Sequence, residues 1–285
     1  MIFNNSSGAA LPDLTDPASP NDVTSGKEYI DSNGEKQTGA SGYYKLLQAV
    51  SVVDTSPATI DLVPEDFNGI TTLGTQCFAW FNNFPGSPLR SVILPGRIRF
   101  RGTSGSQDGR SQFVHQGNMK FFIFENGYTD DIRLATFSGC NKLQLLIFSK
   151  ELRAITDIGL NGHTAMKSYV FPKKSVVPMG KSSSITINKN IYVPDSDEDG
   201  NDLVAAYKSA TNWSTTGIAE YIFGFSSAPS YNSETEYSVG DVCKYNNRFY
   251  AYYKIENSTG NAPSGTAEHT PYWWYCGDCG GVING

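Results

Sequence analysis

The feature of the sequence that most constrains its fold is a short apolar pattern that recurs through the middle of the chain. Each copy has apolar residues at its first, fourth and sixth positions, and four copies start at Leu89, Met119, Leu143 and Met166. A fifth, starting at Asn188, keeps the last two apolar positions, and successive starts are 30, 24, 23 and 22 residues apart. A period in the twenties is typical of stacked units that cannot bury their apolar faces alone. The pattern therefore predicts a solenoid whose short strands form a parallel sheet.

A second recurring position predicts the return loops of this solenoid. A large apolar residue lies six positions before three of the starts, at Phe113, Phe137 and Leu160. Cys140 and His163 each lie three positions before the first apolar residue of their copy. Because equivalent positions stack on one another in a solenoid, both side chains are predicted to be structural.

Two segments resemble one family of repeat proteins. The segment Ala135–Leu143, A-T-F-S-G-C-N-K-L, resembles the BspA-like type of leucine-rich repeat. The run over 191–214, with I-Y-V-P and A-Y-K-S-A-T-N-W-S, is similar to the closing segment of such arrays. Helical spacing of its apolar residues predicts a helix from 202 to about 210 that seals the open end of the sheet. Tyr207 and Trp213 are then expected in the core.

The N-terminal residues, 1 to about 42, are rich in Pro, Asn, Asp, Ser and Gly, and such a segment cannot bury enough apolar surface to fold alone. Lys27–Ile30 and Glu35–Thr38 flank an Asn-Gly turn signal, which predicts a small strand–turn–strand unit. The segment S-G-K-E-Y-I-D-S-N-G-E-K-Q-T-G resembles one found in tail and fibre proteins of bacteriophages of Gram-positive hosts. The resemblance implies docking onto the virion through Gly26, Lys27, Tyr29, Asn33 and Gly34. The alternative is a solvated linker.

The C-terminal residues differ in composition from the repeats. Residues 225–232 are predicted to form a linker, and Tyr237–Tyr252 predicts a hairpin that turns at Asn246 and Asn247. The aromatic run Tyr272–Trp274 follows. The order and spacing of these residues resemble the small chitin-binding-type carbohydrate modules, which also occur as appendages of phage tail proteins. The resemblance implies a few short antiparallel strands around packed aromatic side chains.

Sugar binding needs flat aromatic faces that stack on the pyranose, with a few polar groups that fix its orientation. Trp273 and Trp274 point to opposite faces if they lie in a strand, so one is expected in the core and the other at the surface. For each aromatic side chain taken singly, a place in the core is the alternative. The predicted carbohydrate-binding residues are Tyr250, Tyr252, Tyr272, Trp273 and Trp274.

An acidic turn follows the last repeat and is a candidate calcium loop. Asp195, Asp197 and Asp199 precede a glycine in a D-x-D-x-D-G pattern. Position twelve of such a loop is Ala206 here, where a calcium loop has a bidentate Glu. The alternative is a turn whose carboxylates lie near the positive N-terminus of the predicted helix.

The five cysteines are scattered and give no disulfide framework. Cys276 and Cys279 form a lone C-x-x-C, and three interpretations stay open: a zinc site completed by Cys243 and His269, a local disulfide, or inert thiols. The three histidines and the carboxylates give no arrangement of base and nucleophile and no paired acids. The sequence therefore predicts no enzyme and no cofactor.

Charge and hydropathy exclude two classes of partner. Charged residues make up 18% of the chain and the net charge is −6, so no electrostatic attraction for nucleic acid is predicted. No apolar run approaches the ~20 residues that span a bilayer, so no membrane insertion is predicted. The residues after Met1 lack the pattern of a signal peptide, which favours a protein that stays in the cytoplasm where it is made.

Taken together, these patterns predict a mainly β chain in three parts. They are an extended docking segment (1–42), a BspA-like leucine-rich-repeat solenoid with a parallel sheet and capping helix (43–224), and a small antiparallel carbohydrate-binding-like module (225–285). The solenoid is expected to act as a connector that holds apart two functional ends.

The expected function is that of a non-enzymatic virion component, either a tail-fibre or receptor-binding protein or a capsid decoration protein, assembled in the host cytoplasm. Its expected partners are other virion proteins, reached through the N-terminal segment, and a glycan of the host surface. A homo-oligomer, or many copies on each particle, is expected, because one module binds sugar weakly. The alternatives are a bacterial surface adhesin, disfavoured by the missing signal peptide, and an accessory protein of a cell-wall hydrolase.

Overall fold

The computed structural model of the 285-residue chain describes residues 28–30, 36–38, 60–73, 77–78, 87, 89–100, 112–157, 163–180, 189–214, 217–267 and 269–280. Within these ranges the chain is mainly β, with a parallel-sheet β-solenoid, one α-helix and a small antiparallel sheet. The first two described strands, β1 (Glu28–Ile30) and β2 (Lys36–Thr38), pair antiparallel.

The solenoid is built on a seven-stranded parallel sheet whose strands follow one another in chain order. Four of its strands coincide with the first four copies of the apolar pattern, and a fifth coincides with the degenerate copy. The prediction of a parallel stacked sheet is therefore confirmed. The strands are β3 (Ile60–Leu62), β5 (Leu89–Leu94), β7 (Phe121–Phe124), β9 (Leu145–Ile147), β11 (Ser168–Val170), β12 (Asn190–Val193) and β13 (Ile222–Gly224).

Shorter elements lie between the strands of this sheet along the chain. Two further parallel pairs form there, β4 (Thr72–Leu73) with β6 (Arg99–Phe100), and β8 (Ile132–Arg133) with β10 (Ile155–Asp157). Short 3-10 helices occupy Pro64–Phe67, Leu134–Phe137, Ala219–Tyr221 and Phe225–Ser227.

Phenylalanine side chains stack from turn to turn inside the solenoid. On the return side, Phe113 lies between Phe78 and Phe137, with ring centroids 5.1 Å and 6.1 Å away. On the sheet side, Phe148 lies 6.0 Å from the ring of Phe124 and 4.2 Å from that of Phe171. All are buried, so the two recurring apolar positions of the sequence form two columns of one core.

A ladder of hydrogen bonds joins these turns. In three turns, the side chain three positions before the first apolar residue donates to the backbone oxygen of the phenylalanine anchor of the preceding turn. The bonds run from Gln116 Nε2 to Phe78 (2.6 Å), from Cys140 Sγ to Phe113 (3.2 Å) and from His163 Nε2 to Phe137 (2.9 Å). The equivalent structural roles predicted for Cys140 and His163 are confirmed, and Gln116 adds a third member that sequence reasoning missed.

The helix α1 (Leu203–Ser209) begins where the spacing predicted it. Asp202 caps it by accepting a hydrogen bond from the backbone nitrogen of Ala205 (2.9 Å). Tyr207 and Trp213 are fully buried, as predicted, and both bond to the backbone of Val177 (3.0 Å and 2.7 Å). No helix in the described part of the chain is long and apolar enough to cross a bilayer.

The C-terminal residues form a three-stranded antiparallel sheet of β14 (Val242–Tyr245), β15 (Arg248–Tyr252) and β16 (Trp273–Asp278). Asn246 and Asn247 have φ values of 50° and 56°, which a type I′ turn requires at both central positions. The predicted hairpin is confirmed. We call residues 225–280 the C-terminal module.

The C-terminal module covers the outer face of the solenoid sheet. Its apolar side chains share one buried cluster with outward-pointing residues of five successive solenoid strands. The solenoid side of this seam comprises Ile93, Phe121, Ile123, Leu145, Ile147, Val170 and Tyr192. Ile93, Ile147 and Val170, which point out of the solenoid, are therefore covered by the module. The expectation that the solenoid holds two ends apart is wrong for the C-terminal end.

Residues 225–232 contribute to the same seam instead of forming a linker. Phe225 is fully buried and stacks on Phe249 with a centroid distance of 4.3 Å and nearly parallel rings, and Ala228 is 1% exposed. The polar composition of this segment suggested a linker, but its two apolar residues anchor it to the module.

One glycine marks the closest approach of the two parts. Gly240 has φ of 85°, and a Cβ there would lie 2.5 Å from the backbone oxygen of Gln144. Beside it, Ser168 Oγ donates to the Gly240 oxygen (2.7 Å) and Lys167 pairs with Asp241 (2.9 Å). The backbone of the module thus rests directly on the backbone of the solenoid.

Candidate functional site

The two adjacent tryptophans of the module point to opposite faces of its sheet, as alternation in a strand predicts. Trp274 faces the solenoid and contacts Tyr253 edge-on at 5.9 Å. Trp273 faces away from it and donates from Nε1 to the backbone oxygen of Asn261 (2.7 Å). Both are buried, with 1% of Trp273 and 4% of Trp274 exposed, so the expectation that one is at the surface is wrong.

The face away from the solenoid forms a second small core of aromatic side chains. Tyr237, Tyr250 and Tyr252 surround Trp273 there, together with Cys243. The hydroxyl of Tyr250 donates to the Gly265 oxygen (2.8 Å), and that of Tyr252 donates to the Glu256 oxygen (2.7 Å). The rings of Tyr250, Tyr252 and Trp273 are closed to a ligand in this structure.

Tyr272 is the one predicted sugar-binding residue with an exposed part. It packs beside Tyr252 with ring centroids 6.4 Å apart. Tyr272 also lines an open groove of about 480 Å³, which we call the Tyr272 groove. The other lining residues are Lys254, Glu256, Asn257, Ser258 and Pro271.

The polar rim of the Tyr272 groove is held by hydrogen bonds to the module. Ser258 pairs through its backbone with Tyr237 in both directions (2.8 Å and 3.0 Å), and its hydroxyl lies 2.7 Å from that of Tyr252. Asn257 Nδ2 donates to Glu236 (3.2 Å). An aromatic face beside fixed amide, hydroxyl and charged groups is the combination that saccharide binding uses, and the volume is that of a small-ligand site.

Two of the three aspartates of the calcium candidate, Asp195 and Asp197, accept hydrogen bonds from the protein's own donors. Asp195 accepts from Ser226 Oγ (2.6 Å) and from the backbone nitrogen of Gly280 (2.8 Å). Asp197 accepts from Asn201 and from the backbone nitrogen of Asp199, and these hydrogen bonds lower the pKa of Asp197. In the ranges that the structure describes, no three His, Cys, Asp or Glu side chains are grouped to hold a metal ion.

In the described part of the chain, Cys276, Cys279 and Cys243 carry thiols that are not joined in a disulfide. Burial raises the pKa of Cys279 to about 11 and also raises that of Cys243, so both thiols stay protonated at neutral pH. Cys276 is 1% exposed and belongs to the seam. Of the three interpretations left open by the sequence, the inert thiol is the one that these surroundings favour.

The predicted docking residues are mostly outside the part of the chain that the structure describes. Tyr29 lies in β1 opposite Gln37 of β2. Gly26, Lys27, Asn33 and Gly34 are outside the described residues, and the docking role of all five stays a prediction.

A larger cleft, of about 720 Å³, lies where the end of the solenoid, the acidic turn and β16 meet. We call it the seam cleft. Its charged lining residues are Lys150, Lys173 and Lys174 together with Glu151, Asp197, Glu198, Asp199 and Asp278. Sequence reasoning missed this site, although Lys150 and Lys173 each lie two residues after the last apolar position of their repeat, a spacing that predicts stacking on neighbouring turns.

No family model, curated protein or solved structure matches this chain.

Proposed function

We propose that the chain is a non-enzymatic component of a bacteriophage virion that presents its C-terminal module to a glycan of the host surface. In this proposal it is a tail-fibre, receptor-binding or capsid decoration protein, present in many copies. Its solenoid belongs to the BspA-like leucine-rich repeats, and its N-terminal segment docks onto other virion proteins.

The observation that carries the glycan part is the Tyr272 groove. Tyr272 offers an aromatic face on a region of the module where polar side chains surround an open cavity of saccharide size. The module cannot swing freely, because its opposite face is buried against five strands of the solenoid. A groove on a fixed support loses little orientational freedom when a ligand binds, which favours affinity.

The virion and repeat parts rest on the sequence resemblances. The S-G-K-E-Y-I-D-S-N-G-E-K-Q-T-G segment supports docking, and its two described strands pair antiparallel. The A-T-F-S-G-C-N-K-L segment supports the repeat family, since its Phe137 and Cys140 occupy the recurring core positions.

Binding of the full chain to host cell walls and to a glycan array tests the groove. Tyr272→Ala is expected to lower binding at least about tenfold, since stacking on an aromatic ring is a main term in sugar affinity. Tyr272→Phe, which keeps the ring, is expected to retain most of it. Tyr245→Ala removes another half-buried tyrosine of the module that lines neither cavity, and serves as the control. Absence of binding by the unmodified chain to any wall or glycan would contradict the glycan proposal.

Mass spectrometry of purified phage particles tests the virion proposal separately. The chain is expected in the particles, and a version lacking residues 1–42 is expected to be lost from them. If the chain is absent from particles and is found on the surface of a bacterium, the adhesin alternative replaces the virion proposal.

A further inference from the structure

The seam cleft is lined by lysines and by carboxylates. Two of the carboxylates accept hydrogen bonds from neighbouring hydroxyl groups, Glu151 from Ser149 Oγ (2.7 Å) and Asp278 from Tyr275 (2.9 Å). We call the three lysines the first wall and the acidic turn the second wall. On the first wall, Lys150 and Lys173 follow neighbouring strands of the solenoid, and Lys174, which is exposed, is next to Lys173 in the chain. Lys150 Nζ lies 5.7 Å from the ring centroid of Tyr275, and Lys173 Nζ donates to the backbone oxygen of Leu152 (2.8 Å). These contacts fix two of the three ammonium groups at the mouth of the cleft.

The second wall is the acidic turn. The hydrogen bonds of Asp197 to Asn201 (2.8 Å) and to the backbone nitrogen of Asp199 (3.0 Å) hold the turn in one shape. Glu198 and Asp199 are then exposed toward solvent at the cleft. Among the described residues, none of the three cleft lysines forms an ion pair with these carboxylates, so both walls keep their charge available.

The floor between the two walls is apolar. It is formed by residues of the solenoid loops, the helix and the seam, among them Pro172, Pro194, Leu203, Ala206 and Phe225. Such a floor accepts small aliphatic groups, whereas a sugar ring would place hydroxyl groups against it without partners. At about 720 Å³, the cleft is within the range of ligand-binding cavities.

We propose that the seam cleft binds a short zwitterionic peptide. Its carboxylates face Lys150, Lys173 and Lys174, an ammonium group faces Glu198 and Asp199, and small apolar side chains lie on the floor. An ion of a single sign would be repelled by one wall, which is why a ligand carrying both charges fits. The site is separate from the Tyr272 groove and does not depend on the glycan proposal.

The test is calorimetric titration of the full chain with the tetrapeptide Ala-Glu-Lys-Ala, which has free ends. Saturable binding that weakens as salt rises is expected. Lys174→Glu and Glu198→Lys are each expected to lower the affinity about five- to tenfold, since each reverses one exposed charge at the site. The double variant restores one charge of each sign, so its affinity is expected to exceed that of either single variant.

Lys208→Glu and Glu220→Lys are the matched controls, because both residues are exposed and neither lines the cleft. They are expected to leave peptide affinity unchanged, as is Tyr272→Ala. Thermal unfolding of the exposed-charge variants verifies that they are folded.

Four results would overturn the proposal: no saturable binding by the unmodified chain, equal losses in the control variants, equal binding of acetylated and amidated tetra-alanine, or tighter binding of glucosamine 6-phosphate than of the peptide. The last of these would identify the cleft as a site for a zwitterionic sugar.

Discussion

The solenoid and the C-terminal module both have aromatic cores, but the two cores are held together differently. In the solenoid, phenylalanine rings stack on their own equivalents in the next turn, and side chains such as Gln116 tie each turn to the one before. In the module, tyrosine and tryptophan rings pack edge-on and their polar atoms bond to surrounding loops. A repeat can rely on one contact used many times, whereas a three-stranded sheet must fix each loop separately.

The seam is where these two kinds of core depend on each other. Neither the outer face of the solenoid sheet nor the inner face of the module would be covered without the other part. The two regions should therefore unfold together, and the following predictions are ordered from the largest expected effect on this coupling to the smallest.

Deletion of residues 225–280 and the C-terminal residues after them is expected to have the largest effect. It exposes the seven outward-pointing residues of the seam on the solenoid sheet, and an apolar patch of that kind promotes association. The shortened chain should bind a hydrophobic dye and self-associate in sedimentation experiments at concentrations where the full chain does not. A shortened chain that remains monomeric with unchanged thermal stability would show that the seam is not a shared core.

Gly240→Ala is expected to destabilise the protein by about 2–4 kcal/mol, because it combines a positive φ with a Cβ placed against the Gln144 oxygen. Gly260→Ala is the matched control, since Gly260 has φ of 78° and nothing within 4 Å of the added Cβ. The difference between the two free energies of unfolding in urea isolates the cost of separating the two backbones. Equal losses of unfolding free energy in the two variants would mean that separating the two backbones at the seam does not destabilise the protein.

The ladder of the solenoid is expected to make stability depend on pH through His163. Burial lowers the pKa of His163, so the folded protein keeps it neutral while the unfolded chain takes up a proton below about pH 6.5. The unfolded state then binds more protons, and stability is lost as pH falls through this window.

His163→Gln should reduce this loss. Gln116 already makes the equivalent hydrogen bond two turns earlier, so a glutamine at position 163 can donate to the Phe137 oxygen. At neutral pH the variant is expected to lose about 1 kcal/mol of stability, because the hydrogen bond between His163 and Tyr169 is lost. Urea midpoints at pH 7.5 and pH 5 measure the effect, and the other two histidines are unchanged in the comparison. Identical pH dependence in the two proteins would rule out His163 as its source.

The smallest effect concerns the hydroxyl groups of the module. Tyr250→Phe removes the bond to the Gly265 oxygen and is expected to cost about 1 kcal/mol. Tyr245→Phe, at a half-buried tyrosine of the neighbouring strand, is expected to change stability by less than about half of that. If both variants behave alike in urea unfolding, the hydroxyl bonds do not hold the loops of the module.

The local elements of this fold follow from the sequence, and the contacts between its parts do not. The period of the apolar pattern locates the solenoid strands, and the spacing after Pro194 locates the helix, because both signals arise within a few residues. The seam joins Gln144 to Gly240, almost one hundred residues away, through a backbone contact that no local pattern records. Ile93 and Ile147 alternate as a half-exposed strand would, and the partner that covers them cannot be identified from that alternation.

The same contrast applies to the candidate sites, whose local features follow from the sequence and whose contacts between distant segments do not. An aromatic-rich module was visible in the sequence, but which aromatic ring is open depends on loops that close over Tyr250, Tyr252 and Trp273. Tyr272 differs from these three residues because part of its side chain is exposed. The seam cleft was missed because its walls come from separate stretches of chain, although the repeat register of Lys150 and Lys173 was available.

The seam also limits how the number of repeats can change. Repeat arrays commonly gain or lose whole units, since each unit contacts its neighbours alone. Here five neighbouring strands of the seven-stranded sheet contribute outward-pointing side chains to one surface, which the module covers. These strands are β5, β7, β9, β11 and β12. A duplicated turn would add a strand with no complement on the module and would shift every later strand out of register with it. The C-terminal module therefore sets the length of the array, and insertions are expected in the return loops, where they leave the seam intact.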